Sequence, residues 1–398
     1  MKHQRRVFND KLSTVFFISI VYPLGPAAII LMPMLVGGVI DSYNFSEQQA
    51  GYIAALEGMG LVVSSLLAAL WVRNVSWVRA LFICFIANAV INVASANVTD
   101  FMSLLVVRFL AGMTAGSIFA ITVTALGDNS HPDRAFGIAQ VVQGVMMFVA
   151  FAVAPYILEQ WDVSGLYYML AAASVLMVLA LKRYPVAGAD RSIGESSTVG
   201  QESYNGYIWL ALIASFLFFS NLFGFWTYVE RIGQAAGLTT ETVGLALGFA
   251  QLGMIAGAGG VAVASHRFGR TIPMIITLLG MLVVLWLLVG QFSSLSFYLG
   301  VALFQAVFVI GNCYQMGVIA KIDVKGKYLV LVTGFQGLGA AVGPAIAASL
   351  ISGGDYSKVN LMAALLCVIS ILMFLFIIYR TRQIGSSVKV PLKVIGIK

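Results

Sequence analysis

The stretch Arg183–Ser203 reads RYPVAGADRSIGESSTVGQES, and it is the longest hydrophilic segment in a chain of 398 residues. Its glycine, serine and charged residues are typical of a flexible linker. Apolar residues make up 60% of the whole chain and charged residues only 10%, against roughly 25% charged residues in a soluble domain. A lipid bilayer solvates that much apolar surface, whereas a fold in water cannot hide it. The sequence therefore predicts an integral membrane protein with a cytoplasmic linker at 182–205.

Apolar runs that are long enough to cross a bilayer lie on both sides of this linker. A helix needs about 20 mainly apolar residues to cross the hydrocarbon core. This rule predicts twelve spans, near residues 13–40, 48–72, 77–97, 101–126, 134–158, 164–182, 206–231, 242–265, 271–291, 295–320, 327–352 and 358–380. We therefore expect an all-α membrane protein with two six-helix halves, residues 1–181 and 206–398, the second ending in a short cytoplasmic tail.

Basic residues are distributed unevenly among the segments that join the predicted spans. With the N-terminus inside, 20 of the 23 Lys and Arg residues fall in inner segments, and two, Arg231 and Lys358, fall in outer ones. The remaining one, Arg108, lies within a span. This asymmetry follows the positive-inside rule, so both termini are predicted to be cytoplasmic. Topology thus accounts for the net charge of +7, and we expect no nucleic-acid partner.

A short pattern of small residues recurs at corresponding positions of the two halves. Residues 150–155 in span 5 read AFAVAP, and residues 339–344 in span 11 read GAAVGP. Small residues at this spacing allow helices in a membrane to approach closely. We therefore predict conformational or packing roles for Pro155, Gly339, Gly343 and Pro344, and a parallel two-fold repeat of the halves.

Two further motifs complete a family pattern. Residues 108–116 in span 4 read RFLAGMTAG, and residues 266–270 after span 8 read HRFGR. With twelve spans, the charge asymmetry and the central linker, these motifs resemble the major facilitator superfamily over the whole chain. The loop after span 2 departs from the family pattern, because Val72 stands where an acidic residue is expected. The resemblance implies conformational or packing roles for Gly112, Gly116, Arg267 and Arg270.

The resemblance also implies a mechanism, in which the two halves rock about a midplane site. The chain looks most similar to the small bacterial efflux-type branch. We therefore expect a monomer in the bacterial cytoplasmic membrane that exports a small organic solute by antiport with protons, with the proton gradient as energy source and no cofactor. Two alternatives stay open: uptake of an organic acid or nutrient by symport or facilitated diffusion, and a non-transporting membrane sensor.

Two charged residues lie deep within predicted spans, Glu57 in span 2 and Arg108 in span 4. A charge at the centre of a bilayer costs at least about 2.5–3.5 kcal/mol. Both helices run from outside to inside and place the two residues at similar depth, so an ion pair is geometrically possible. One hypothesis is that Glu57 carries the coupling proton and that Arg108 serves coupling or contacts the substrate. The alternative is a static pair that orients the N-terminal half.

Polar and aromatic side chains within the spans are candidates for the substrate cavity, which spans 1, 4, 7 and 10 line in the superfamily that the chain resembles. The predicted cavity residues are Tyr22, Gln140, Gln143, Asn221, Phe225, Trp226, Gln305 and Asn312. For the amides, the alternative is hydrogen bonding between helices. For Trp226 and Tyr228, it is a belt at the membrane surface. Asn88 and Asn92 of span 3 are predicted to lie away from the cavity.

Signals for enzyme chemistry are weak. Residues 337–343 read GLGAAVG, which looks like a dinucleotide fingerprint but lies inside a span with no preceding strand. The cysteines lie in apolar runs, and no His, Cys or Asp group has metal-ligand spacing. We therefore predict neither an enzyme nor a metal site.

Few charges line the predicted cavity, which favours an amphipathic or aromatic solute. Pro23 and Pro26 predict a break in span 1.

Overall fold

The computed structural model describes residues 12–129, 132–187, 205–264, 269–323, 329–351 and 354–387. In these ranges, nine helices are long and apolar enough to cross a membrane. One of them loses helical geometry at Trp161 and Asp162 and so forms two spans. Two shorter apolar segments, Leu12–Leu24 and Thr271–Leu287, complete the twelve predicted spans.

The bounds of the helices follow the predicted spans closely. Span 1 consists of Leu12–Val21, Tyr22–Leu24, Ala27–Ile30 and Met32–Tyr43. Spans 2, 3 and 4 are Glu47–Trp71, Trp77–Asn97 and Phe101–Gly127, and spans 5 and 6 are the two parts of Pro132–Met177, continued by Val178–Arg183. Spans 7 to 12 are Asn205–Ala235, Thr240–Ala264, Thr271–Leu287, Ser294–Ile322, Leu329–Leu350 and Ser357–Ser387. Most of the predicted linker, and Arg267, lie outside the described residues.

Span 1 is broken where its prolines predict a break. Tyr22–Leu24 forms a short 3-10 turn that contains Pro23, and Pro26 precedes the single turn Ala27–Ile30. Proline removes a backbone donor and its ring clashes with the preceding turn, so the helix stops and restarts. At the second restart, the N–H of Met34 bonds the carbonyl of Leu31 rather than that of Ile30. The Ile30 carbonyl is thereby left available for a partner outside span 1.

Short polar side chains build the turn between spans 1 and 2. Asn44 ends span 1 in the left-handed conformation, with φ of 55°, which asparagine tolerates better than most residues. The Ser46 hydroxyl then accepts from the N–H of Gln49 at 3.2 Å, and the Gln49 side chain accepts from the N–H of Ser46 at 3.0 Å. This capping box fixes the start of span 2.

Glycine brings spans 2 and 4 into backbone contact. A Cβ atom added to Gly112 would lie 2.0 Å from the carbonyl oxygen of Glu57, and one added to Gly116 would lie 2.3 Å from that of Leu61. The matching helices of the other half, spans 8 and 10, meet in the same way, since a Cβ on Gly253 would lie 2.1 Å from the Ala302 carbonyl oxygen. Equivalent contacts in both halves agree with two pseudo-symmetric six-helix bundles.

The motif residues of spans 5 and 11 also lie at helix contacts. A Cβ on Gly339 or Gly343 would lie 2.4 Å or 2.3 Å from a carbonyl oxygen of span 7. Pro155 packs on Gly244 of span 8, so it lies at the contact between the halves. Pro344 is in the matching position, since its carbonyl lies next to Gly51 of span 2, in the other half. All four motif residues therefore lie where two helices pack together.

A salt bridge at the predicted cytoplasmic end involves a different acid from the one the family pattern predicts. Arg73, after span 2, pairs with Asp128 at the end of span 4, with Nη2 and Oδ1 2.9 Å apart. Asp128 thus supplies a carboxylate where Val72 lacks one. On the other half, the Arg270 guanidinium lies against Gly317 of span 10.

We expect Gly112→Val to destabilise the protein, because the added methyl groups would force spans 2 and 4 apart. Overpacking of this kind costs about 1–3 kcal/mol. The measurement is thermal unfolding of the purified protein in detergent. Gly259→Val is the matched control, because Gly259 lies in the helix of span 8 with open space around it. Equal melting temperatures of the two variants would contradict the backbone contact.

Candidate functional site: a buried ion pair and the closed outer end

Glu57 of span 2 and Arg108 of span 4 form an ion pair inside the N-terminal half. The guanidinium donates from Nε to Glu57 Oε2 at 3.1 Å and from Nη2 to Glu57 Oε1. Both side chains are buried, with 1% of Arg108 and 3% of Glu57 exposed. The close approach of spans 2 and 4 at Gly112 brings the two side chains together.

Spans 3 and 6 supply the other partners of Arg108. Its Nη1 donates to Asn92 Oδ1 at 2.9 Å and to Ser95 Oγ at 3.2 Å. The guanidinium also lies over the Tyr167 ring, 4.8 Å from the ring centroid. These groups replace water around a buried charge, which a charge at membrane depth requires. Sequence reasoning did not assign Asn92, Ser95 and Tyr167 to this site, although the spacing of Asn88 and Asn92 was a signal for a polar helix face.

We define the outer end of the bundle as the end with Asp41, Glu47 and Arg231, which the charge asymmetry predicts to face outside. Here span 7 donates hydrogen bonds to backbone carbonyls of the other half. Trp226 Nε1 donates to the Ile30 carbonyl at 2.9 Å, and the Tyr228 hydroxyl donates to the Glu47 carbonyl at 2.6 Å. Trp226 thus uses the acceptor that the break in span 1 made available. Both rings are buried between the halves, so a membrane-surface belt is the wrong interpretation of them.

We call these contacts between span 7 and the N-terminal half the closure, and a cluster of charged side chains extends it. Arg231 of span 7 donates to the Gly37 carbonyl and pairs with Asp41 of span 1, with Nη2 and Oδ1 2.7 Å apart. The buried Glu230 carboxylate lies 3.5 Å from Arg231 Nε. Outside the membrane segments, burial raises the pKa of Tyr356 to about 12, so this phenol stays neutral beside the closure. The two halves are therefore held together at the outer end.

Two glycines provide room for these side chains. A Cβ on Gly51 of span 2 would lie 2.2 Å from the Tyr228 hydroxyl oxygen. A Cβ on Gly37 of span 1 would lie 2.4 Å from Glu230 Oε2. A larger residue at Gly51 would also meet the Ala348 Cβ atom of span 11 at 2.5 Å, whereas one at Gly37 would displace the Glu230 carboxylate. The closure therefore depends on glycine in one half and on polar side chains in the other.

An aromatic face runs from Trp226 toward the inner end. Phe223 and Phe219 lie three and seven residues before Trp226, which places them on the same side of span 7. Both rings are only half-buried. Trp226 stacks on Phe304 of span 10, with centroids 6.0 Å apart, and Phe219 meets Phe308 of the same span at 5.7 Å. This face of span 7 is an apolar, aromatic surface on the inner side of the closure.

The two other predicted cavity residues of span 7, Asn221 and Phe225, are fully buried. Phe225 is fully buried and packs on Phe304 at 4.9 Å, inside the C-terminal half. Asn221 is also fully buried. Within the described residues, neither its side-chain nitrogen nor its oxygen has a hydrogen-bond partner. Trp226, by contrast, reaches the contact between the halves.

The remaining predicted cavity residues are spread over several helix contacts. Tyr22 packs on Phe119 of span 4, 5.5 Å between centroids. Gln143 is buried next to Gly144, which contacts Ile255 of span 8, while Gln140 is exposed.

The two span 10 amides complete this set. Gln305 is buried. Asn312 Oδ1 accepts from Gln336 of span 11 at 3.0 Å, the hydrogen bond between helices that was the alternative for these amides.

A cavity of about 620 Å³ opens beside the closure, lined by both halves. Its acidic residues are Asp41, Glu159, Asp162, Glu230 and Glu241. Within the described ranges, no group of three or more His, Cys, Asp or Glu side chains is arranged to hold a metal ion.

Twelve spans in two pseudo-symmetric halves, a buried ion pair and a closure between the halves define a polytopic membrane carrier. The family model of the Major Facilitator Superfamily matches residues 15–322, and the chain belongs to this superfamily. It is accordingly a transporter of small solutes rather than an enzyme.

Solved structures share the fold. The crystal structure of a point mutant of the nucleoside transporter NupG has a TM-score of 0.76 at 15% identity and covers 93% of this chain and 100% of its own. A bacterial homologue of the human lysosomal transporter Spinster, in an inward-facing and unoccupied conformation, has a TM-score of 0.68 at 12% identity and covers 96% of this chain and 100% of its own. No curated protein sequence matches the chain. At these identities, the likeness concerns the fold alone.

We expect Gly51→Val to open the outer end, because the larger side chain would displace the Tyr228 hydroxyl. The measurement is the distance between spin labels at Gln48→Cys and Ala235→Cys, in a background without native cysteines. The label distance is expected to increase and its distribution to broaden. Gly206→Val is the control, since Gly206 has open space around it. An unchanged distance in Gly51→Val would show that the Tyr228 contact does not hold the halves together.

Proposed function

We propose that this protein is a proton-coupled transporter of a small aromatic or amphipathic organic solute, working by alternating access of its two halves. The buried Glu57–Arg108 pair is the observation that carries the proposal. We also propose that it acts as a monomer in the bacterial cytoplasmic membrane with both termini inside, driven by the proton gradient, and that it exports its solute.

The chemistry of the pair suits a proton carrier. Protonation of Glu57 would remove its charge and weaken both hydrogen bonds from Arg108. Loss of the proton would restore an ion pair with a bidentate contact between the guanidinium and the carboxylate. A carboxylate in this position has two states that differ in how firmly they join spans 2 and 4. Proton uptake can thereby be linked to the packing of the N-terminal half.

The substrate class follows from the aromatic face of span 7, on the inner side of the closure. The half-buried faces of Phe219, Phe223 and Phe308 are apolar and aromatic. Arg108 lies inside the N-terminal half with four hydrogen bonds to protein groups, so it offers little to a substrate carboxylate. This disfavours the alternative in which Arg108 binds an organic acid. Nucleosides, the substrates named for one structural relative, are aromatic and uncharged and belong in the test panel.

We expect solute-dependent proton flux in proteoliposomes of the wild-type protein, and loss of that flux in Glu57→Gln. Glutamine keeps the size of the side chain and removes the titration. The measurement uses an internal pH dye while a panel of aromatic amines, nucleosides and organic acids is applied. Glu47→Gln is the control, because Glu47 lies on the same helix, ten residues nearer its outer start.

The sign of the pH change separates antiport from symport. Solute movement without proton flux in either protein would overturn the coupling role of Glu57 and leave a facilitator. Equal proton flux in wild type and Glu57→Gln would assign coupling to another residue.

We expect Phe223→Ala to raise KM for an aromatic solute while leaving expression unchanged. An aromatic contact contributes about 0.5–1.5 kcal/mol, so the rise in KM is expected to be about 2- to 10-fold. Uptake of radiolabelled solute into vesicles measures it. Phe82→Ala is the control, because the Phe82 ring in span 3 is exposed on the outside of the bundle. Equal KM values for the two variants would remove the aromatic face from the binding site.

A further inference from the structure

We propose that Asn92 is a positioning residue that fixes the Arg108 guanidinium within the N-terminal half, so that Arg108 stays in place while Glu57 gains and loses its proton. The inference deepens the proposed function. Only its transport test rests on that function.

Arg108 has partners that do not depend on the charge of Glu57. Asn92 and Ser95 of span 3 both accept from Nη1, and the Tyr167 ring of span 6 lies against the guanidinium plane. These three groups are neutral, and their side chains lie on helices other than span 2. If the Glu57 carboxylate becomes neutral, the guanidinium therefore keeps most of its surroundings.

The orientation of the Asn92 amide is itself determined by its neighbours. Its Nδ2 donates to Asn88 Oδ1 at 2.8 Å and to the Asn88 backbone carbonyl at 2.9 Å. Rotating the amide by half a turn would place two N–H donors against each other at Arg108 and two oxygens against each other at Asn88. Asn92 Oδ1 is therefore held toward Arg108.

Asn88 in turn is held by two other spans. Its Nδ2 donates to Thr114 Oγ1 of span 4 at 2.7 Å, and its Oδ1 accepts from Ser174 of span 6 at 2.9 Å. The chain of hydrogen bonds from Arg108 through Asn92 thus ends on two helices. A buried network in which each member is satisfied makes its members rigid.

Glu57 is held differently. Within the described part of the chain, its carboxylate accepts hydrogen bonds from Arg108 alone. Its helix also packs directly on the other half, because a Cβ on Gly58 would lie 3.3 Å from Ala341 of span 11. Neutralising Glu57 therefore frees span 2 from Arg108 at a point where span 2 contacts the other half. The fixed arginine and the released helix together convert a proton into a change at the interface.

The first experiment asks whether Asn92 holds Arg108, without any transport assay. Thermal unfolding of the purified full chain is compared for wild type, Glu57→Gln, Asn92→Leu and the double variant. The melting temperature of the double variant is expected to fall by more than the sum of the two single decreases, because Arg108 then lacks both the negative charge of Glu57 and the amide oxygen of Asn92. Additive losses, or no loss in Asn92→Leu, would overturn the proposal.

The second experiment measures the pH dependence of transport, which a residue with a purely structural role would not change. Asn92→Asp places a second carboxylate at Arg108, and a neighbouring like charge favours the protonated state of the pair. The pH of half-maximal transport is expected to rise by about one unit. Asn97→Asp, at the exposed end of the same helix, is the control and is expected to leave the profile unchanged. An unchanged or acid-shifted profile in Asn92→Asp would overturn the positioning role.

Failure of this proposal and failure of proton coupling give different results. If wild-type vesicles carry no protons with any solute, the proposed function fails. The unfolding comparison then still decides whether Asn92 anchors Arg108.

Discussion

A charge inside a bilayer needs partners from the protein itself, and in this molecule that requirement organises the N-terminal half around Arg108. Its guanidinium contacts side chains of spans 2, 3 and 6 from its own position on span 4. The contact is possible because Gly112 and Gly116 let spans 2 and 4 meet backbone to backbone. The glycines and the buried charge therefore depend on each other. Without the close approach of spans 2 and 4, Glu57 would not reach Arg108, and the guanidinium would be buried without its carboxylate partner.

The two halves meet at the outer end by a different kind of interaction. Donor side chains of span 7 reach backbone carbonyls of spans 1 and 2, and one of these acceptors is available because span 1 is broken by proline. Hydrogen bonds to carbonyls are individually modest, with a net value of about 0.5–1.5 kcal/mol each. A closure made from a few of them, with glycines that leave room for the incoming side chains, suits the opening and closing of this interface in the proposed alternating-access cycle.

The ion pair and the closure are connected through span 2. The same helix carries Glu57 toward Arg108, Gly51 toward Tyr228 of the other half, and Gly58 toward span 11. A change in how firmly span 2 is bound within its own half would therefore alter two contacts with the other half, at Gly51 and at Gly58. Through this connection, the proposed protonation of Glu57 would reach the contacts between the halves.

Composition, the length of apolar runs and the placement of basic residues were enough to predict the twelve spans, because a bilayer imposes its thickness on every helix that crosses it. The break in span 1 followed from its prolines, and Glu57 and Arg108 stood out because charge is rare at that depth. The sequence did not predict which side chains of different helices contact each other. Phe225 lies in span 7 as predicted but packs inside the C-terminal half, and Asn92, assigned to a peripheral helix, is a partner of Arg108. Sequence by itself determined which segments cross the membrane and which residues are costly there; only the tertiary structure decided which of them meet, because helix rotation and neighbour choice depend on packing between segments far apart in the chain.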